Sequence, residues 1–135
     1  MVKAIMGLKG SGKTKTLVDM ANEAVKADRG CVVYIEKGNT LTYDVSSQAR
    51  LVNVEEYAVS DFVSFYGFIA GLTAGNYDIT DIYVDGLTKI CGSDLGEIEA
   101  FLDKTAALVK DDITVTLTIS CDKEKATEGI KKYLI

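Results

Sequence analysis

The chain has 135 residues, 47% of them apolar, which is enough for one ordinary core without help from disulfides or a metal. A formal net charge of −5 leaves no general basic footprint of the kind that double-stranded DNA or an anionic membrane surface selects, and room only for a local basic patch. There is no histidine, which excludes Ser-His-Asp, Cys-His and His-ligated zinc chemistry together.

Cys31, Cys91 and Cys121 are too far apart for a CxxC pair and read as buried free thiols. No apolar run approaches the roughly 20 residues of a membrane span. A glycine-rich loop begins so close to Met1 that the reading leaves no place for a cleavable presequence, and a cytoplasmic protein is expected. Repeats, low-complexity tracts and linker-like stretches are missing, so residues 1–135 read as a single domain.

Residues 2–6 (VKAIM) read as the first strand, and Gly7 to Thr14 (GLKGSGKT) as the loop after it. Lys13–Ala27 then carries Leu17, Ala21, Ala24 and Val25 on one helical face. Cys31–Glu36 (CVVYIE) is a second strand, dense in β-branched residues and closed by Lys37-Gly38-Asn39. Residues 50–54 suggest a further short strand, while 43–48 give little local signal. Residues 61–72 place Phe62, Phe65, Ile69 and Leu72 at helical spacing as a core-facing stripe, with Ser60 as the expected N-cap.

Residues 81–85 (DIYVD) form the third main strand, with Asp81 expected at the surface of the edge opposite Asp85. Leu95, Ile98, Leu102 and Val109 mark the next helix, and Asp94 and Glu97 are spaced as a capping box. Residues 113–120 (ITVTLTIS) alternate apolar residues with threonine, a pattern usual for a strand with one wet face; threonine packs well enough in a sheet to keep them as a parallel strand. Residues 122–129 look helical, and 131–135 are either the last turn of that helix or a short edge strand. Strands alternating with helices predict an α/β class, a three-layer fold with a mostly parallel central sheet of about five strands and helices on both faces; with GLKGSGKT directly after the first strand, the arrangement resembles the P-loop NTPase fold.

The loop satisfies GxxxxGK[ST] at Gly7, Gly12, Lys13 and Thr14, and Gly10 adds a further glycine. Each position has a physical task. The backbone N–H groups of Gly7, Leu8, Lys9, Gly10, Ser11 and Gly12 can turn inward as an anion nest, and the helix starting near Lys13 aims its dipole at the same anion. The Lys13 ammonium is placed to bridge the β- and γ-phosphates, the Thr14 hydroxyl to coordinate Mg2+, and the Lys15 N–H to meet the α-phosphate. Lys9 flanks the site as either a phosphate contact or a solvated side chain. A nucleoside triphosphate with magnesium is therefore the expected ligand, ATP by default because no NKxD guanine-reading motif occurs. An acidic group at the end of a neighbouring apolar strand must complete the hold on magnesium, and Asp85 fits; its plainer reading is a strand-end turn with Gly86.

On Gly7 to Thr14 and Val84-Asp85-Gly86-Leu87 the chain resembles the RecA-like branch of P-loop ATPases. That resemblance implies that Glu36, closing the strand after the first helix, orients the attacking water, and that Ser120 or Cys121 is the polar sensor. It does not imply strand exchange or DNA unwinding. The chain is also similar, in its loop and in Tyr77 to Gly86 (YDITDIYVDG), to small stand-alone P-loop proteins of Firmicutes, some labelled as relatives of the twitching-motility pilus retraction ATPase. Pilus retraction itself is not implied, because the histidine and aspartate boxes of that ATPase are missing.

Two features bear on turnover: no glutamate follows Asp85, where other P-loop ATPases carry their base, and the only arginines are Arg29 and Arg50, a shortage of charge stabilisers that favours a non-hydrolysing switch. The expectation is a weak ATPase, or one stimulated by a protein partner or by homo-oligomer assembly. The alternative is a non-hydrolysing nucleotide-dependent switch or assembly module. A small-molecule kinase ranks third for want of lid arginines.

Overall fold

The computed structural model describes residues 1–135 throughout. In chain order it contains β1 (Val2–Gly7), α1 (Lys13–Ala27), β2 (Cys31–Glu36), β3 (Arg50–Asn53), a 3-10 turn (Val54–Tyr57) and α2 (Phe62–Gly75). Then follow β4 (Ile79–Val84), α3 (Leu87–Ile90), α4 (Leu95–Val109), β5 (Thr114–Ser120), a second 3-10 turn (Lys123–Lys125) and α5 (Glu128–Lys131). The strands form one sheet in the order β1-β5-β4-β2-β3, and every pairing is parallel. Parallel neighbours need crossover connections, which places helices over both faces.

The two faces are unequal. Val33 and Ile35 of β2 join a cluster of 25 buried residues beneath α2 and α4, whereas Val32 and Tyr34 join one of 9 beneath α1. This asymmetry explains the alternation in β5. Val115, Leu117 and Ile119 enter the larger cluster, so Thr116 and Thr118 point the other way, toward α1, and are buried there. The threonine face is therefore covered, and it runs into the thinner, more polar side of the sheet.

Several local expectations change. Asp61, not Ser60, caps α2: its carboxylate accepts from the Ser64 N–H at 2.8 Å, while the Ser64 hydroxyl accepts from the Asp61 N–H. Asp94 accepts from the Glu97 N–H at 2.9 Å, one half of the expected box. Asp81 is buried, 6% exposed, because the Thr80 hydroxyl donates to it and the Arg29 guanidinium lies 4.0 Å away. Residues 122–129 form no single helix, since Asp122 and Thr127 each cap a separate short turn. Beyond α5, Leu134 bridges to Ala4 in parallel, so the chain's end adds a short edge to the sheet beside β1. The three free cysteines are half-buried. No helix is long and apolar enough to cross a membrane.

Candidate functional site

The carboxyl ends of β1, β5 and β4 open onto one cleft, of about 600 Å³, lined by Lys9, Gly10, Gly12, Lys13, Thr14, Asp85, Gly86, Thr88, Lys89, Thr118 and Ser120. None of these is hydrophobic, so the cleft suits a charged ligand better than an apolar one.

The loop between β1 and α1 forms one wall. The loop folds back closely on Gly7, where a Cβ would lie 2.7 Å from the Ser11 hydroxyl oxygen and displace that side chain. Gly12 sits at φ 86° as the N-cap of α1, in the left-handed region that side chains disfavour, and offers no side-chain cap. The first turn holds no acidic residue and carries Lys13 and Lys15 instead. That reverses the usual preference, because the positive end of a helix dipole disfavours cations by a few tenths to about 1 kcal/mol each. An anion in the cleft would reconcile the two lysines with the dipole and would meet the first-turn N–H groups. Lys13 is buried, and its ammonium is already turned into the loop, donating to the Leu8 carbonyl at 2.9 Å and reaching Ser11 Oγ at 3.4 Å.

Asp85 forms the floor. It follows directly on β4, held in line by its N–H donating to the Ile35 carbonyl at 2.8 Å. Three hydroxyls donate to its carboxylate: Thr14 Oγ1 at 3.2 Å and Thr118 Oγ1 at 3.3 Å to Oδ1, and Tyr34 Oη at 3.0 Å to Oδ2. Thr118 in turn accepts from the Gly86 N–H at 2.7 Å through one lone pair, which leaves its proton for Asp85. Burial pushes the Tyr34 phenol far above its ordinary pKa, reinforced by the neighbouring charges of Asp85 and Glu36, so Tyr34 acts only as a neutral donor.

Ser120 stands opposite Gly7 in the β1–β5 register and lines the cleft, while Cys121 continues past it with its N–H on the Gly7 carbonyl. Glu36 occupies the same face of the sheet as Tyr34, one strand farther from the loop. It is buried, outside the cleft wall, and closes the following turn: Oε1 accepts from the Thr40 hydroxyl at 2.9 Å and Oε2 from the Leu41 N–H at 3.3 Å. Leu8 and Ser11 are exposed on the loop's outer rim. Lys15 faces a second groove with Thr14, Val18, Asp19, Asn22, Leu41 and Asp44.

No family model matches the sequence, and no curated protein matches it. Among solved structures, the flagellar accessory protein FlaH from Methanocaldococcus jannaschii is similar at 16% identity with a TM-score of 0.60. The likeness covers 97% of this chain and 65% of FlaH, so the chain spans just under two thirds of that protein. The chain shares its fold with FlaH. Within that fold β5 separates the loop strand β1 from the Asp85 strand β4, which is what brings Thr118 and Ser120 between the loop and the carboxylate.

Four residues of the site escape a reading of the sequence. Tyr34 and Thr118 look like strand filling, and their role at Asp85 follows only from the sheet order. Thr88 and Lys89 belong to α3, whose four residues are too few to show a period. No group of three or more cysteine or acidic side chains is poised for a metal. The chain itself offers one hydroxyl and one carboxylate, hard oxygen donors that suit a magnesium ion whose remaining positions are filled by phosphate and water.

Proposed function

We propose that the chain binds a nucleoside triphosphate, ATP by default, with magnesium, and that residues 1–135 act as one nucleotide-binding domain. The observation that carries this reading is the 3.2 Å hydrogen bond from Thr14 to Asp85, which joins residues 71 apart in sequence at the mouth of a lysine-bearing glycine loop. Backbone amides of Gly7 to Lys15 receive the phosphates, and Lys13 neutralises charge between the β- and γ-groups. Thr14 and Asp85 hold the magnesium, which screens the phosphate charge when bound. Tyr34 and Thr118 keep the Asp85 carboxylate turned toward Thr14. The groove lined by Lys15, Asn22, Leu41 and Asp44 takes the nucleoside, since it meets the phosphate cleft at Thr14.

Hydrolysis turns on Glu36. Glu36 lies on the right face, beside Asp85, and a slow or partner-stimulated ATPase follows if it orients water. Its two oxygens are taken by Thr40 and Leu41, and this specific observation favours the second reading, a nucleotide-dependent switch or assembly module. Arg29 and Arg50 both sit at the amino ends of strands, on the edge away from the cleft, so neither serves as a charge stabiliser in its own chain. Steady-state turnover of ATP and GTP, with and without magnesium, decides between the readings. Magnesium-dependent turnover supports the ATPase; tight binding without turnover supports the switch.

A further inference from the structure

The cleft contains a cation that the phosphate-loop motif does not account for. Lys89 lies four residues after Asp85, on α3, and lines the same wall as Asp85, Thr118 and Ser120. Its stem folds back toward the start of the helix: a Cβ placed on Gly86 would lie 3.5 Å from Lys89 Cβ, 3.6 Å from Cδ and 3.9 Å from Cγ. Gly86 is itself pinned to Thr118, so the platform under the stem is fixed. Like Lys9 and Lys13 in the same cleft, Lys89 has no carboxylate within 4.0 Å, so its charge is not neutralised by the chain itself.

The direction of the bound phosphate chain then assigns its role. Thr14 and Lys15 open onto the nucleoside groove on one side, and Asp85, Ser120 and Lys89 lie on the other. A phosphate chain entering past Lys15 reaches Lys13 next and ends toward Asp85 and Lys89. We infer that Lys89 binds the terminal phosphoryl group, so that this single side chain makes the site prefer a nucleoside triphosphate over a diphosphate. In a chain with no arginine on this edge, it is the one cation of the cleft supplied from outside the glycine loop. The inference rests on the nucleotide-binding proposal and deepens it.

The test is calorimetry on the whole chain with a non-hydrolysable ATP analogue and, separately, ADP, each with magnesium. Wild type, Lys89→Ala, Lys89→Arg and Lys13→Ala are compared. Lys89 is exposed, so its removal should leave the fold intact. Losing a charge-assisted bond to one phosphoryl group should weaken the analogue about tenfold or more in Lys89→Ala, leave ADP within about twofold, and be largely restored in Lys89→Arg. Equal losses for both nucleotides, or no loss for either, would overturn the assignment while the Lys13→Ala result upholds the nucleotide site. If wild type binds neither nucleotide, the underlying proposal fails and the role of Lys89 fails with it.

Discussion

Replacing Asp85 with asparagine preserves shape and removes charge, which isolates what the carboxylate does. An asparagine carbonyl can accept from Thr14 and Thr118, and its amide can donate to the Tyr34 oxygen, so the local network has a neutral substitute. Three bonds to a charged acceptor become neutral ones at about 1 kcal/mol each, offset in part by the carboxylate no longer needing hydration; the fold should survive with a lower Tm. Magnesium should respond more strongly. An ion bound to the Thr14 hydroxyl at about 2.1 Å lies within about 5 Å of a carboxylate oxygen that is 3.2 Å from that hydroxyl. A divalent cation and a unit charge at that separation interact by about 1.7 kcal/mol even with water-like screening, and about four times more at the effective dielectric of a protein surface. Taking the smaller figure, magnesium should lose at least about tenfold of its effect on ATP affinity. Calorimetric ATP affinity across a magnesium titration reads this directly, and with chelator present the variant should bind ATP at least as well as wild type. An unchanged magnesium dependence would refute the reasoning and leave Asp85 as a strand end.

Glu36→Gln should keep ATP affinity within a few-fold and, if Glu36 orients water, lower turnover by about 10²–10⁴ in a steady-state phosphate-release assay; equal turnover in the two proteins would rule out that role. The Cys91 thiol, pushed up to about 12 mainly by burial, should alkylate at pH 8 at least about tenfold more slowly than a free thiol, and a chase with unfolded protein should abolish the difference. The Tyr133 hydroxyl and then Lys132 hold the Asp103 carboxyl below its ordinary range, with Lys132 Nζ at 3.2 Å. Its contribution to stability should therefore be present above the unfolded value near 4 and be lost as pH falls through the lower folded value. Asp103→Asn should flatten that acid limb in thermal melts, and an unaltered limb would show that the contact is fully screened by solvent.

The glycine-rich loop between β1 and α1 was legible because GxxxxGK[ST] between a strand and a helix is a local pattern, and the left-handed Gly10 and Gly12 give its glycines a backbone reason. The α/β class, the bounds of α1 and β2, and Asp85 at a strand end were legible for a related reason, since each rests on a local pattern. Residues whose meaning depends on sheet order were not. Thr118 reads as a wet-face residue until β5 is seen wedged between β1 and β4, and Tyr34 reads as core until β2 is placed beside β4. Asp81 was expected at the surface because its shield comes from Arg29, more than fifty positions away in sequence. Ser60 was favoured over Asp61 as a cap because adjacent capping residues are distinguished only by which carboxyl reaches the Ser64 N–H.

The most direct measurement is calorimetry of ATP with magnesium on wild type and Lys13→Ala. Lys13 touches only Leu8 and Ser11 of its own loop through its ammonium, so the variant should keep a wild-type circular-dichroism spectrum. Saturable binding in the wild type, lost in the variant, is the predicted result. Equal affinity in the two proteins, or no binding in either, would contradict the nucleotide site.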